Sequence, residues 1–146
     1  MSLFSSFGIS ASGLTAEKLR LDLIANNIAN MNTTGRLNDP AHPPYRRKIP
    51  VFEQMLERAH AGGAPPTSYK GVGVRVAQIL EDPRLPRLAY EPSDPMADEQ
   101  GYVAYPNINI VNEMVNMISA TRSYEANVTA LNAAKDIALK ALEIGR

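Results

Sequence analysis

The chain has 146 residues, and its 15 basic and 15 acidic side chains give a formal net charge of zero, so it has no overall field to attract nucleic acid or an acidic membrane surface. The absence of cysteine excludes disulfides and thiolate metal sites. No apolar run approaches the roughly 20 residues of a membrane span, and the first residues lack the basic start and apolar core of a cleavable secretory signal.

Proline divides the chain into three parts. All eleven prolines lie within residues 34–106, and the flanking segments 8–33 and 107–146 contain none. Because proline disrupts helix interiors, we predict a helix within 1–33, turns and short strands over 34–106, and a second helix within 107–146. The predicted fold class is α+β: the long terminal helices form a coiled-coil-like pair, and a small β-rich module lies between them.

The N-terminal segment carries apolar residues at the spacing of a coiled-coil seam. The seam residues are Leu14, Leu21, Ile24, Ile28 and Met31. Ser12 or Thr15 is a candidate N-cap for this helix, and Asn30, Asn32 and Gly35 are candidate stop signals.

Two asparagines, Asn26 and Asn27, lie inside the helical pattern, where capping does not explain them. Alanine or leucine would favour a helix more at these positions. Buried polar groups at helix interfaces can fix the register of packing. We therefore interpret both asparagines as hydrogen-bonding partners of neighbouring chains.

The middle region contains three candidate strands, over residues 46–52, 72–80 and 87–90. Valine alternates with smaller or polar residues in the second strand, which is typical of a half-buried strand. Residues 82–86 predict a turn that joins the last two strands into a hairpin, and residues 61–66 predict a loop. Three short strands are marginal alone, so we expect them to pack on a helix.

The C-terminal helix is predicted over 111–143, a length of about 50 Å. A compact globule of this size has a diameter of only about 40 Å, so the helix is expected to protrude. Its apolar seam consists of Met114, Met117, Thr121, Tyr124, Val128, Leu131, Lys135, Ala138 and Leu142.

The polar residues of this helix form one narrow stripe. They are Glu125, Thr129, Asn132, Asp136, Lys140 and Glu143, and the remaining circumference is apolar or small. About 240° of the helix is then available for packing, far more than the ~100° of an ordinary surface helix. One partner helix cannot cover this arc, so we predict contacts with further chains. An ordinary helical hairpin with an alanine-rich back is the alternative.

No reaction centre is visible in the sequence, and we predict no catalytic residue, no metal and no cofactor. His42 and His60 lie in loops rich in proline and glycine, without partners at ligand spacing, and are interpreted as solvated side chains. Asp94, Asp98 and Glu99 lie close together, but their spacing does not match a calcium loop. An enzyme that uses this acidic loop with a metal is therefore the weaker hypothesis.

Residues 21–33, with the core Ala-Asn-Asn-Ile-Ala-Asn at 25–30, resemble the N-terminal signature of the flagellar axial proteins, the rod and hook subunits. Within that family, the chain most resembles the proximal rod members, in four further stretches: 45–48, 105–111, 113–118 and 122–127. It covers nearly the whole chain. One departure is that Arg36 follows Gly35 where the family usually has tyrosine, and an insertion-like loop over 37–44 follows.

The resemblance implies a structural subunit of the basal-body rod, the hollow drive shaft that crosses the periplasm and transmits torque. The implied partners are copies of this chain, other rod proteins, the adaptor between the MS ring and the rod, and the flagellar type III export apparatus. Synthesis in the cytoplasm and export without a cleaved signal peptide are also implied. Direct membrane insertion and nucleic-acid binding are not expected. A soluble helical adaptor that binds one partner protein is the alternative function.

Terminal-helix residues are expected to pack subunits together in such a rod. The candidates are Leu14, Leu21, Ile24, Asn26, Asn27, Ile28, Met31, Met114, Met117, Tyr124, Asn127, Val128, Leu131, Ala134, Ala138 and Leu142. Pairing within one subunit is assigned to the leucines and isoleucines of the first helix and to Tyr124, Val128, Leu131 and Leu142. Phe52 and Leu56 match the Phe-x-x-x-hydrophobic element of exported rod and hook subunits. The alternative role for Phe52 is a core anchor.

Overall fold

The computed structural model describes residues 3–37, 39–58 and 69–144, in which two long helices flank four strands. The elements are α1 (Leu3–Ala29), β1 (Lys48–Arg58), β2 (Tyr69–Glu81), β3 (Arg87–Tyr90), β4 (Tyr102–Tyr105) and α2 (Ile110–Ile144). The predicted α+β class is therefore confirmed. His60 and the predicted loop 61–66 lie outside the described residues. No helix in the described part is both long and apolar enough to span a bilayer.

The terminal helices pack together in antiparallel orientation. Asn27, near the end of α1, meets Glu113, near the start of α2. A Cβ atom on Gly13 of α1 would lie 3.0 Å from the Asn127 side chain of α2, so the two backbones approach closely at this glycine. At 35 residues α2 is about 52 Å long. It extends past the start of α1 by about two turns, as the antiparallel register requires.

The helix ends differ in part from the prediction. Because α1 begins by Leu3, Ser12 and Thr15 lie in its interior and cannot cap it. Their hydroxyls donate to the carbonyls of Ile9 and Ala11 in the preceding turn, so the predicted N-cap is wrong.

The other helix boundaries use asparagine. The α1 helix ends at Ala29, just before Asn30, whose side chain donates to the carbonyl of Asn26. At the start of α2, the Asn109 Oδ1 accepts hydrogen bonds from the backbone N–H groups of Val111 and Asn112. This is the usual geometry of an N-cap.

The long strands β1 and β2 form an antiparallel hairpin, with Lys48 opposite Glu81 and Arg58 opposite Tyr69. The predicted pairing of the second and third strands across residues 82–86 is therefore wrong. Strand β3 pairs instead with β4, a strand that periodicity did not reveal. The predicted turn, which contains Pro83 and Pro86, connects β2 to β3, and the chain passes through it from one sheet to the other.

The small β3–β4 sheet supplies much of the core. Val103 and Ala104 of β4 are fully buried, and Gly35 forms an antiparallel bridge with Ala104. Gly35 therefore extends this sheet, and it lies six residues beyond the end of α1 at Ala29, too far to act as the predicted stop signal. The remaining buried apolar residues come from the helices: Ala16, Leu23, Ile24 and Ala120.

Candidate assembly interface

One side of α2 packs against α1. Glu113 and Ala120 are buried on this side, and Tyr124, Val128 and Leu131 are half-buried beside them. The buried side of α2 therefore includes three residues of the predicted seam, and two residues that lie just beside the seam, Glu113 and Ala120. Leu142, which was expected to pair the helices within the chain, is 72% exposed because it lies in the overhanging end of α2.

The polar centre of the helix pair is Asn27, only 1% exposed. Its Nδ2 donates to the Lys48 carbonyl at 2.9 Å and to Glu113 Oε2 at 3.1 Å. Its Oδ1 accepts from the Lys48 N–H at 2.9 Å and from the Tyr45 hydroxyl at 3.1 Å. An amide side chain has two donor hydrogens and two acceptor lone pairs, so these four bonds use all of them.

This geometry corrects the interpretation of the asparagine pair. Asn27 has no hydrogen-bonding capacity left for a neighbouring chain, because its partners lie in β1, in α2 and at Tyr45 of the same chain. Asn26 points to the surface, and its Nδ2 donates to the carbonyl of Asp22 in its own helix. A contact of Asn26 with another subunit remains a prediction.

The network continues from Asn27 through charged groups. Glu113, 1% exposed, accepts hydrogen bonds from Arg47, whose Nε and Nη2 both lie 2.7 Å from Glu113 Oε1. Arg47 Nη1 also lies 4.0 Å from Asp82 Oδ2. A buried carboxylate requires such compensation, since an unpaired charge in the interior is very costly.

Asp82, at the end of the hairpin, is held as a carboxylate. Hydrogen bonds from the Arg84 guanidinium, at 2.6 to 3.0 Å, lower the pKa of Asp82 from 3.8 to about 2, with further contributions from the Arg84 backbone N–H and from the Arg47 charge. Burial raises the pKa of Tyr45, with the nearby Glu113 charge as the second cause, which keeps its hydroxyl a donor to Asn27. The network thus joins both helices to the start and end of the hairpin.

A second connection attaches the hairpin to α1. The Ser12 Oγ accepts a hydrogen bond from the Val74 N–H of β2 at 3.1 Å. Gly73 makes this approach possible, since a Cβ there would lie 2.3 Å from Ser12 Oγ, and its φ of +143° is one that side chains disfavour. The register of the hairpin shifts next to Gly73, between Met55 and Leu56, and such a shift locally bends a strand.

The outer side of α2 carries an apolar stripe. It consists of Val111, Met114, Val115 and Ile118, all 54–62% exposed. At 100° per residue these positions lie about 100° to 200° around the helix from Glu113, so the stripe is centred on the side of α2 that faces away from Glu113 and Ala120. The predicted polar stripe continues the same side along the rest of the helix, and its six residues are all exposed. The outer side of α2 is therefore apolar at its start and polar beyond.

The other predicted packing residues occupy mixed environments in the chain. Ile24 is buried, and the following are half-buried: Leu14, Leu21, Ile28, Met31, Met117, Asn127, Ala134 and Ala138. The structure brings most of them toward the helix pair, and their contacts with other subunits remain predictions.

Phe52 and Leu56 lie on β1 and are 40% and 53% exposed. Phe52 is therefore not the core anchor that was considered as its alternative role. It lines the wall of an open groove above α1.

The acidic loop between β3 and β4 uses its carboxylates to shape the backbone. Asp94 Oδ1 accepts the Met96 N–H at 2.7 Å, and Asp98 Oδ1 accepts the N–H groups of Gln100 and Tyr102 at 2.9 and 2.8 Å. These are turn-forming hydrogen bonds. Within the described residues, no three acidic or histidine side chains are grouped closely enough to hold a metal ion.

The loop that follows Gly35 is organised around Asp39. Its carboxylate accepts the Ala41 N–H at 2.8 Å and lies 3.3 Å from the His42 Nδ1 and 3.8 Å from Arg36 Nη1. The backbone hydrogen bond from Ala41 and the His42 side chain lower the pKa of Asp39. His42 is exposed, as expected, with 56% of its side chain accessible, and it also contacts Asp39 within this local turn.

Sequence reasoning missed four residues that join the two helices and the hairpin within the chain: Gly13, Tyr45, Arg47 and Glu113. A glutamate in the first turn of a helix is unremarkable by itself, and the three consecutive basic residues at 46–48 are usually solvated. The available signal was a charged residue, Glu113, in a segment with apolar residues at 110, 111, 114 and 115, together with an asparagine, Asn27, that capping does not explain.

Comparison with known proteins identifies similar sequences over the full length of the chain. The family model for flagella basal body rod protein matches residues 7–35, and that for the C-terminal part of flagellar basal body rod FlgEFG protein matches 99–144. The chain is 43% identical to flagellar basal-body rod protein FlgC of Bacillus subtilis, with 100% of both chains covered. It is 42% identical to FlgC of Yersinia enterocolitica, with the same coverage, and 43% identical to FlgC of Borreliella burgdorferi, over 99% of this chain and 98% of that protein.

Proposed function

This chain belongs to the flagellar basal-body rod family, in its FlgC group, and from that premise we propose that it builds the rod by packing its terminal helices against neighbouring subunits. It is a structural subunit of the bacterial basal-body rod. The proposal concerns how the chain performs that role: which surfaces meet, how load is carried and how the subunit reaches the rod.

The observation that supports helix packing is the outer apolar stripe of α2. Val111, Met114, Val115 and Ile118 are exposed on the side opposite α1. Contiguous apolar surface of this kind marks an interaction site. A helix with apolar residues on two opposite sides needs a partner on each, and the part of the chain that the structure describes supplies only one.

The network around Asn27 suits the subunit to mechanical load. It connects α1, α2 and the hairpin through buried, charge-assisted hydrogen bonds, which are stronger than neutral ones. In our proposal the subunit turns as one body within the hollow drive shaft. Torque is then shared among many helix contacts, each of which carries a small part.

The proposed partners are other copies of this chain, other rod proteins and the adaptor between the MS ring and the rod base. Delivery would use the flagellar type III export apparatus, without a cleaved signal peptide. Phe52 and Leu56 are the proposed export-gate element, and their position on an extended strand with exposed side chains fits recognition of a linear segment. Export by this apparatus would place the chain in the periplasmic part of the rod.

We assign no catalytic role to the chain. The acidic loop that motivated an enzyme hypothesis uses Asp94 and Asp98 for backbone hydrogen bonds. A metal-dependent rise in the melting temperature of the purified chain would reverse this assignment. The adaptor alternative predicts a small complex of fixed size with one partner and no entry into the rod.

The experiment that tests the proposal isolates basal bodies from cells and locates this chain in the density of the rod. A matched pair of variants tests the role of the outer side of α2: Ile118→Asp in the exposed apolar stripe and Thr129→Asp in the exposed polar stripe. We expect Ile118→Asp to abolish incorporation and Thr129→Asp to retain it. Normal rods that contain Ile118→Asp would overturn the helix-packing mechanism.

A further inference from the structure

The α2 helix and the β1–β2 hairpin both pack on α1, and one polar side chain joins them to each other. Among the described residues, no Cα atom of α2 lies within 8 Å of a Cα atom of the hairpin strands. In the same part of the chain, Glu113 is the α2 residue whose side chain hydrogen-bonds outside its own helix. Its carboxylate is therefore the direct polar connection between α2 and the hairpin.

Arg47 carries this connection into the hairpin base, residues 47–48 and 81–82. Its Nε and Nη2 lie 2.7 Å from Glu113 Oε1, and its backbone carbonyl accepts the Asp82 N–H at 2.8 Å. The backbone groups of Lys48 face the opposite edge of β1, because neighbouring residues of a strand point alternately to its two sides. There they bond the Asn27 amide, which also donates to Glu113. Both edges of β1 are therefore fixed at its start by groups that contact Glu113.

Arg47 has a second carboxylate close by. Its Nη1 lies 4.0 Å from Asp82 Oδ2, which is too long for a hydrogen bond. Asp82 belongs to the hairpin base and is held in place by Arg84, whereas Glu113 belongs to α2. If α2 moved away, a shift of the guanidinium by about 1 Å would bring it to hydrogen-bond distance from Asp82. The start of α2 can therefore leave α1 without stranding the Arg47 charge, which would be costly in a site with no second partner.

We propose that Arg47 is a two-position switch. It pairs with Glu113 while α2 is docked on α1, and with Asp82 when the start of α2 has moved away. The order of the hairpin base is then coupled to the docking of α2. Such a coupling is reciprocal, so whatever stabilises docked α2 also stabilises the hairpin base.

The outer apolar stripe of α2 gives this switch an input. Val111, Met114 and Val115 lie in the same two turns as Glu113, on the side that faces away from it. A neighbouring subunit bound to the stripe would hold these turns in the docked position. This step rests on the proposed function, since it takes the stripe as a contact between subunits. Incorporation into the rod would then tighten the hairpin base.

Hydrogen exchange of the purified full-length chain, followed by NMR, tests the switch. The reporters are the Lys48 and Asp82 N–H groups of the hairpin base. The reference is the Val74 N–H, which lies toward the other end of the hairpin and bonds Ser12 of α1. We expect both reporters to open together with the first turns of α2, and separately from Val74. Opening of the reporters independently of α2 would overturn the proposal.

Two glutamate variants extend this test. Glu113→Gln keeps the size of the side chain and one acceptor oxygen but removes its charge. Exchange at Lys48 and Asp82 should then accelerate about tenfold or more, and exchange at Val74 should not change. Glu125→Gln, the same substitution on the exposed polar side of α2, should leave all three rates unchanged. Equal acceleration at the three amides in Glu113→Gln would overturn the proposal, because the chain would then open as one unit.

A double variant tests the alternative partner. If Arg47 passes between two carboxylates, each partly replaces the other when one is lost. Glu113→Gln combined with Asp82→Asn should therefore accelerate exchange at Lys48 by about tenfold more than the product of the two single effects. A double variant whose effect equals that product, or falls below it, would refute the exchange of partners.

Failure of the switch and failure of the proposed function are distinguishable. In isolated basal bodies, exchange measured by mass spectrometry should be slower at the hairpin base than in the free chain, and equal rates would refute the effect of the stripe. If the purified chain shows the coupled opening but is absent from the rod, the switch within the chain stands and the proposed function fails.

Discussion

Replacement of Asn27 by alanine probes the central polar network most directly. The change removes four hydrogen bonds: two with the Lys48 backbone, one with Tyr45 and one with the Glu113 carboxylate. At about 1 kcal/mol for each neutral bond and somewhat more for the charged one, the loss is about 3–5 kcal/mol. Such a value is a large share of the stability of a small domain.

The assay is urea unfolding of the purified chain followed by circular dichroism, with Asn26→Ala as the control. Asn26 is chemically identical and adjacent, but it is exposed and bonds only within its own turn. Alanine also favours a helix more than asparagine does, so Asn26→Ala should be neutral or slightly stabilising. Equal losses from the two variants would refute the reasoning, because they would show that burial and bonding at Asn27 carry no special weight.

An aspartate at the same position separates charge from hydrogen bonding. Asn27→Asp keeps an oxygen that accepts the hydrogen bond from Tyr45. Its second oxygen, however, replaces the Nδ2 that in the wild type lies 3.1 Å from Glu113 Oε2, so that two carboxylates face each other. Like charges this close repel strongly. We expect Asn27→Asp to be less stable than Asn27→Ala at neutral pH, and the addition of Glu113→Gln to restore part of the loss.

The remaining predictions concern backbone strain and pH. Gly73→Ala should destabilise the chain by about 2 kcal/mol or more, because its Cβ would lie 2.3 Å from Ser12 Oγ and the backbone φ is +143°. The control is Gly8→Ala, whose new Cβ would have no atom within 4 Å. In thermal melts this control should be neutral or stabilising. Asp82, with its pKa lowered from 3.8 to about 2 by Arg84, should stabilise the fold above pH 4 and lose this contribution as the pH falls toward 2. The difference in free energy of unfolding between the wild type and Asp82→Asn should therefore shrink across that window, and a constant difference would contradict the assignment.

The local sequence pattern predicted the helices well, but it predicted poorly which strands pair with each other. Proline exclusion and apolar spacing located α1 and α2, because both signals act within a few turns of one segment. The partner of β2 was misassigned for the opposite reason. A nearby turn favours pairing with β3, whereas β1 lies across a long connection, and β4 has only four residues with no clear alternation.

The candidate interface shows the same division. The polar stripe of α2 and its wide apolar arc follow from residue spacing on a helix, so the sequence by itself determined this pattern and predicted that the helix needs more than one partner. Which residues face α1, and the role of Asn27 as an internal junction, were decided only by the tertiary structure. Hydrogen bonds to Tyr45, Lys48 and Glu113 join positions 18, 21 and 86 residues away. Their geometry exists only when both helices and the hairpin are packed, since no local pattern encodes the distance between segments so far apart in the chain.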